Sequence, residues 1–498
     1  MTNTYSLYKP LRNHLRQFNM YSGLEAAYSF MQFLDYNRPL PDKLRINRLF
    51  TKSHAMKYGI VQWEFETLIR EIILNSPEQG GKEFKNWSDV AKAINLIKRT
   101  ENDIYGAHDG PDDDVLFELI RIAHRQFPWQ TGINQEHVAR YHWLYRQVGL
   151  ITAVRDTFGM SVTELFQISV ALSGHFTNSP VMNVPVSNSL NSVSNLQMNN
   201  YINELSYTIA TLREKYKELE SHNVNWAYTF NPLRGHPLIR LSDSKIFCPI
   251  TNFLLRRITS GLYFDIIKLG DTGSKFLGPA VQGLIGKVAH TAGRENLRVL
   301  PEQKYGAKKS RKDSIDWIVS DETGHLFVEA KAAQIRFRGI SDLMDREQIR
   351  KEFDRIRGFA LQAYQTLSDA LCGRYSHWQP DGKDVFLTVV TLEDWQSFGV
   401  HVEREVLEPL ARDLQRVGVD PKLPNKIPMT FCPVADFEAA LYVANKKTIA
   451  EIFQRKSEGE YPQWSLANFI YSEFGSELQE FTPVTFSAEW DRLTNQST

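Results

Sequence analysis

The chain has 498 residues, of which 42% are hydrophobic and 23% charged, as in globular proteins of roughly two or three domains. Lysine plus arginine equals aspartate plus glutamate at 58 each, which excludes a uniformly basic nucleic-acid-binding protein. The cysteines lack metal-type spacing, and no stretch approaches the ~20 apolar residues of a membrane helix. We therefore expect a cytoplasmic protein with no membrane partner.

The N-terminal third, residues 1–175, is predicted to be a helical domain, because apolar side chains recur there at three- and four-residue spacing. We expect it to act as a sensor or regulator. The Ser- and Asn-rich stretch 176–200 has little charge and predicts a loop or hinge. Residues 201–270 predict an adaptor that contains a polar helix and a hairpin.

The pattern changes to alternating helices and strands at about residue 271. We expect a helix, a strand, a hairpin of two further strands, a long helix at about 345–371 and then a β-prone run, DVFLTVVTL. These elements define a predicted α/β domain over 271–440. A C-terminal helical extension is expected over 441–498.

The segment 313–333, DSIDWIVSDETGHLFVEAKAA, carries the most suggestive polar residues of the chain. It predicts strands at 315–320 and 325–331, joined by residues with turn chemistry. Because strand side chains alternate between the two faces, Glu329 and Lys331 are expected on the same face.

The length of the turn decides whether Asp316 on the first strand joins that face. With a two-residue loop at 322–323, Asp316 lies directly opposite Glu329. With the loop at 323–324, it lies opposite Lys331, whereas a three-residue loop places it on the other face. The two commonest hairpin geometries thus bring two carboxylates and an ammonium together, as a divalent-metal site with a cationic partner requires.

The order helix, strand, strand, strand, helix, strand, with an acid on the second strand and Glu-x-Lys on the third, resembles the PD-(D/E)xK nuclease superfamily. Asp316 matches the acid of the PD motif, and Glu329, Ala330 and Lys331 match the E-x-K motif. The resemblance implies a multi-domain chain whose C-terminal domain is an α/β restriction-endonuclease-like fold (αβββαβ, mixed sheet), preceded by an α-helical N-terminal half.

Two positions depart from the superfamily pattern. Ile315 precedes Asp316 where proline is usual, and Gln282 stands about where many members carry a glutamate on the first helix. Many members also place a glutamine on the helix after the third strand, for which Gln362 and Gln365 are candidates. The resemblance therefore implies that Gln282 and Gln362 support the site.

Phosphodiester hydrolysis is the chemistry that these residues imply, with Asp316, Glu329 and Lys331 as catalytic residues. The two carboxylates and the backbone carbonyl of Ala330 offer oxygen ligands of the kind that Mg²⁺ or Mn²⁺ prefers. Glu302, on the preceding strand, is a further candidate ligand. Such an ion polarises the scissile phosphate and lowers the pKa of a bound water. Lys331 is expected to orient or deprotonate that water, or to stabilise charge on the phosphoryl oxygens.

Positively charged residues cluster around the hairpin in a chain of zero net charge. We expect contacts with phosphates from Lys308, Lys309, Arg311, Lys312, Arg336, Arg338, Arg346 and Arg350. This local asymmetry favours nucleic acid as the partner. We expect DNA rather than RNA, although no residue pattern distinguishes the two.

The expected function is a metal-dependent endonuclease in which the helical half senses or gates and the C-terminal half cuts. Single chains of this organisation resemble bacterial anti-phage defence effectors, and a phage-derived component would be the trigger. Superfamily members often cut as dimers, so the resemblance also implies a homo-oligomer. Two alternatives stay open: an enzyme that cleaves RNA or tRNA, and a non-cleaving interaction protein built on the same fold.

Overall fold

Helices make up the first part of the chain, as its three- and four-residue apolar spacing predicts. The computed structural model describes residues 4–45, 50–107, 115–187, 193–293, 296–309, 311–333, 346–395 and 402–494. The first helices are α1 (Tyr5–Leu15), α2 (Met20–Tyr36), α3 (Lys52–Lys57), α4 (Gln62–Asn75), α5 (Trp87–Gly106), α6 (Val115–Thr131), α7 (Gln135–Tyr145), α8 (Leu150–Phe158) and α9 (Val162–Asn178). None of the described helices is both long enough and apolar enough to cross a membrane.

A small mixed sheet follows these helices, and it includes the hairpin predicted in the adaptor. In chain order, the elements are β1 (Val181–Asn183), α10 (Asn195–Glu204), β2 (Ser206–Thr208), α11 (Ile209–Leu219), β3 (Leu238–Ser242), β4 (Lys245–Phe247), α12 (Asn252–Ile258) and α13 (Ser260–Lys268). The strand order is β1-β4-β3-β2, in which β3 and β4 form the antiparallel hairpin.

The loop predicted at 176–200 is shorter than expected among the described residues. Helix α9 continues to its first residues, β1 pairs with the distant β4, and α10 begins at its far end. The sequence signal for α10 was a capping box, in which the side chains of Ser194 and Gln197 accept hydrogen bonds from each other's main-chain N–H. The pairing of β1 depends on β4, which is distant in the chain, so it has no local signal.

The C-terminal part is an α/β unit built on a five-stranded mixed sheet, which confirms the predicted division into a helical part and an α/β part. Its elements are α14 (Ser274–Ala292), β5 (Arg298–Pro301), β6 (Lys304–Tyr305), β7 (Lys312–Asp313), β8 (Trp317–Ser320), β9 (Gly324–Lys331), α15 (Arg346–Leu371), β10 (Asp384–Thr391), a π-helical turn (Val402–Leu407), α16 (Glu408–Arg416), α17 (Leu423–Lys426) and β11 (Met429–Pro433).

The strand order of this sheet is β11-β10-β9-β8-β5. Strand β8 is antiparallel to both of its neighbours, β5 and β9, whereas β9, β10 and β11 run parallel. Strands β6 and β7 form a separate two-stranded sheet. They lie between β5 and β8 in the chain, where the sequence predicts a single strand before the hairpin. The predicted C-terminal helices are α18 (Val434–Lys446), α19 (Ile449–Lys456), α20 (Leu466–Glu473) and α21 (Ser487–Thr494).

Helices cover both faces of the large sheet. Ile318 and Phe327 pair across β8 and β9 and belong to the apolar cluster that contains one face of α15. Val319 and Leu326 form the next pair and point into a second cluster with α14 and α18. The period-two alternation of the hairpin therefore supplies apolar side chains to both layers.

The second cluster extends beyond the α/β unit into the helical part. It is a continuous set of buried residues that includes Leu165 of α9, Tyr263 of α13, Leu284 of α14 and Val328 of β9. The domain limits predicted at 175 and 271 are therefore not marked by a break in this core.

The β8–β9 hairpin has the two-residue loop at 322–323. The main-chain N–H of Asp321 donates to the carbonyl of Gly324 at 3.1 Å, and Trp317 pairs with Val328. This register places Asp316 opposite Glu329, as expected for a two-residue loop at 322–323.

The carboxylate of Asp321 stabilises this turn and joins it to α19. It accepts hydrogen bonds from the main-chain N–H groups of Thr323, Gly324 and Ile449, and from the hydroxyl of Thr323. Burial alone would raise the pKa of Asp321, but these hydrogen bonds favour the ionised form and hold it below its usual value.

We predict that Asp321→Ala lowers the free energy of unfolding by about 2–4 kcal/mol, because it leaves several main-chain donors without an acceptor. Since the folded-state pKa is lowered, the part of this loss that depends on the ionised carboxylate is complete above the ordinary value of 3.8 and is lost as the pH falls through the folded-state pKa. Chemical denaturation between pH 2 and 7 measures both effects, with pH values chosen about one unit apart. The matched control is Glu322→Ala, which truncates the exposed neighbouring acid; an equal loss in both variants would contradict the role of Asp321.

Candidate active site

Asp316 lies at the entrance to β8, directly beside the end of β9. Its Oδ2 atom accepts a hydrogen bond of 2.6 Å from the main-chain N–H of Ala330. The strand predicted from residue 315 begins only at Trp317, because the N–H of Ile315 donates to the hydroxyl of Tyr375 at 3.0 Å instead of entering the ladder. Asp316 is thus held by one hydrogen bond from β9 while its own main chain leaves the strand.

Glu329 and Lys331 project from β9 onto the same patch, as their spacing predicts. The ammonium of Lys331 donates to Glu329 Oε1 at 2.7 Å and to Gln362 Oε1 of α15 at 2.9 Å. It also lies 5.5 Å from the ring centroid of Phe359, one turn earlier on α15. These three partners hold Lys331 in one position, and Glu329 itself is only 2% exposed.

The two carboxylates are buried together with too little positive charge. Burial, followed by the nearby charge of Glu329, raises the pKa of Asp316 to about 7, against the opposing effects of the hydrogen bond from Ala330 and the charge of Lys331. Burial also raises the pKa of Glu329, although Lys331 opposes that shift. The patch therefore favours an additional cation.

Glu302 adds a third acidic group at the edge of this patch. Its Oε2 atom accepts a hydrogen bond of 3.1 Å from Gln282 of α14, and its charge raises the pKa of both Asp316 and Glu329. The carbonyl of Gln282 accepts a hydrogen bond of 3.0 Å from the indole N–H of Trp317. Gln282 thus orients Glu302 and packs α14 against the residue next to Asp316.

The oxygen donors of these residues are of the kind that a magnesium or manganese ion prefers. Within the described ranges, no three His, Cys, Asp or Glu side chains are arranged to enclose a metal ion. Mg²⁺ does not require such a cage, because it keeps several waters and binds through one or two carboxylates. Asp316 and Glu329 would hold it, and the main-chain carbonyl of Ala330 and the side chain of Glu302 are the further candidates in the sequence.

Comparison with known proteins adds no relative. The chain matches no protein-family model, no curated protein and no solved structure. Any assignment of this site therefore depends on its residues and their geometry.

The predicted phosphate-binding residues are divided between several places. Lys308, Lys309 and Arg311 are exposed in the connection between β6 and β7, and Arg350 is exposed on α15, whose first residue is Arg346. Arg336 and Arg338 lie outside the described residues.

Lys312 is also exposed, but its ammonium has a structural partner. Its ammonium donates to Asp369 Oδ2 of α15 at 3.1 Å. The same carboxylate group accepts hydrogen bonds from the hydroxyl of Tyr305 and from the guanidinium of Arg374. Asp369 therefore fixes the base of the β6–β7 hairpin to α15, which leaves the exposed connection at its outer end.

Several supporting residues were not predicted from the sequence. Phe359 had a signal, because it precedes Gln362 by three residues and lies on the same helical face. Trp317 and Tyr375 contact the site through hydrogen bonds that join distant segments, and no local pattern indicates such contacts. Gly286 had no signal either: a Cβ atom there would lie 2.0 Å from Cζ2 of Trp317.

We predict that Gly286→Ala destabilises the protein by about 1–3 kcal/mol, because the new methyl group displaces Trp317 from α14. The matched control in the same helix is Gly283→Ala, whose Cβ would meet nothing closer than Trp143 at 3.8 Å. This control should gain up to about 1 kcal/mol from its higher helix propensity. Thermal denaturation of both variants measures the difference, and equal stabilities would contradict the tight packing at Gly286.

We also predict that Asp316→Asn stabilises the metal-free protein by about 1–3 kcal/mol at pH 8, because it removes a buried charge. The folded-state pKa of Asp316 is raised from 3.8 to about 7, so the wild-type penalty grows as the pH rises between these values and is constant above them. Denaturation in EDTA across this range measures the gain.

The control for this prediction is Asp313→Asn, which makes the same change at an exposed carboxylate on β7 and should alter stability by less than about 1 kcal/mol. Mg²⁺ should stabilise the wild-type protein more than Asp316→Asn, because the substitution removes a ligand. A wild-type protein that is more stable than Asp316→Asn in EDTA at pH 8 would contradict the proposed repulsion.

Proposed function

We propose that the chain is a metal-dependent nuclease of the PD-(D/E)xK type that hydrolyses phosphodiester bonds, with DNA as the favoured substrate. The observation that carries this proposal is the convergence of Asp316, Glu329 and Lys331 at the end of one hairpin, with Gln362 on Lys331. The order α14, β5, β8, β9, α15, β10 supports it, because it is the αβββαβ order of that superfamily.

Each residue has a role that follows from its position. A divalent cation held by Asp316 and Glu329 would neutralise charge on the scissile phosphate and activate a water. Lys331, held by Glu329 and Gln362, carries the positive charge that a phosphoryl oxygen or the attacking water requires. Gln282 keeps Glu302 close to the two main carboxylates.

The proposal of a nucleic-acid substrate depends on the exposed basic residues of the β6–β7 connection and of α15. Lys308, Lys309 and Arg311 protrude from a hairpin whose base is fixed on α15, and Arg350 lies on the same helix. Such side chains bind phosphates independently of sequence.

The biological proposal, bacterial anti-phage defence, depends on analogy with single-chain effectors. In it the helical part restrains cleavage until a phage-derived trigger binds, and the active form is a homo-oligomer that cuts both strands. Full-rate cleavage of host DNA by the intact protein without infection would contradict the restraint.

The direct test is incubation of the purified full chain with supercoiled plasmid, linear duplex DNA and total RNA, in Mg²⁺, Mn²⁺ or EDTA. We predict metal-dependent cleavage of DNA and none in EDTA. Asp316→Ala, Glu329→Ala and Lys331→Ala should each lower the rate by about 100-fold or more, because each removes a group that contacts the metal or the phosphate. Thermal denaturation checks that the variants are folded.

The control for these variants is Glu322→Ala, at the exposed tip of the same hairpin, which should cleave at the wild-type rate. Wild-type activity in Lys331→Ala would reject the assigned site. Cleavage of RNA but not DNA would show that the substrate is RNA. Metal-independent binding of nucleic acid without any cleavage would instead support an interaction protein.

A further inference from the structure

The main chain immediately after Lys331 is held by two side chains from outside the strand. The hydroxyl of Tyr263 donates to the carbonyl of Ala332 at 2.9 Å. The indole N–H of Trp395 donates to the carbonyl of Ala333 at 3.2 Å. Lys331 is the last residue of β9 in the ladder with β10, so these two bonds continue the support where the ladder stops.

Tyr263 belongs to α13, which precedes the α/β unit in the chain. Its side chain is 1% exposed and packs in the core cluster that joins the helical part to the sheet. Because protein interiors are close-packed, we expect a displacement of α13 to displace the main chain at Ala332 by a similar amount. Ala332 is covalently bonded to Lys331, so we expect the main chain of Lys331 to move with it and to strain the contacts of its ammonium with Glu329 and Gln362.

Trp395 supports Lys331 by a second route as well. Its ring meets the ring of Phe359 edge to face, with centroids 5.9 Å apart and an interplanar angle of 83°. The ammonium of Lys331 lies over the ring of Phe359, 5.5 Å from its centroid. Trp395 therefore holds both the main chain after Lys331 and the aromatic ring beneath its charge.

The segment that carries Trp395 is itself bound to the helical part. Glu393, two residues earlier, accepts a hydrogen bond of 2.5 Å from the hydroxyl of Tyr141 on α7. His137, one turn before Tyr141, places its Nε2 atom 3.6 Å from the same carboxylate. The helical part, taken as all of the chain before α14, thus reaches the end of β9 directly through α13 and indirectly through α7.

We propose that Tyr263 and Trp395 are positioning residues for Lys331, and that the helical part sets the rate of catalysis through them. This inference rests on the proposed nuclease function. It gives the helical part a physical route to the site that requires no contact with the substrate. The two positioning residues act on catalysis only through Lys331.

The test compares Tyr263→Phe with Tyr28→Phe in the full chain. Tyr28 is a matched control, because its buried hydroxyl also donates to a main-chain carbonyl, that of Phe176 at 2.8 Å, within the helical part. Two readouts are measured for each variant: kcat and KM for cleavage, and hydrogen–deuterium exchange of peptides that cover 329–333.

For Tyr263→Phe we expect kcat to fall roughly 10- to 100-fold with KM changed less than about twofold, and exchange at 329–333 to accelerate. Tyr28→Phe should change neither readout. Trp395→Phe, which keeps an aromatic ring but removes the indole N–H, should reproduce the effect of Tyr263→Phe.

Wild-type kcat and unchanged exchange in Tyr263→Phe would overturn the proposal, and so would an equal loss in Tyr28→Phe. A wild-type protein that cleaves no nucleic acid would reject the nuclease function, and the exchange measurement then decides the positioning inference separately. Faster exchange at 329–333 in Tyr263→Phe alone would support it, and unchanged exchange would overturn it.

Discussion

The hydrogen bond from the main-chain N–H of Ala330 to the carboxylate of Asp316 is the contact on which the candidate site depends. It joins the two strands of the hairpin at the point where their acidic side chains meet. It forms in only one register, and that register is set at the other end of the hairpin by the two-residue turn and the carboxylate of Asp321. A slip of one residue would send Asp316 to the opposite face and disperse the site.

Such a site is unfavourable by itself, because two acids are buried beside one lysine that bonds only one of them. Contacts from the surrounding layers offset this unfavourable free energy. Apolar clusters on both sheet faces hold the hairpin, while Gln362 and Phe359 hold the lysine. Residues that reduce local stability in this way are typical of functional sites, where charge is arranged for a ligand and not for the empty protein.

The sequence predicted the hairpin, its register options, the long helix and the strand after it, because these depend on alternation, turn chemistry and helical periodicity. It also predicted that Asp316, Glu329 and Lys331 share a face. It did not predict β1, whose partner is distant in the chain, or the early exit of Ile315 from its strand. Tyr263, Trp395 and Tyr375 had no signal for the same reason: each acts through one hydrogen bond to a segment far along the chain.

The apolar cluster that passes from α9 and α13 into α14 and β9 has a consequence for how this chain can evolve. Each part covers apolar surface of the other, so neither part has a polar surface where the two meet. Recombination that exchanged the helical part for an unrelated module would expose that surface and favour aggregation. The two parts are therefore constrained to diverge together, with each substitution on one side of the join limiting the residues accepted on the other.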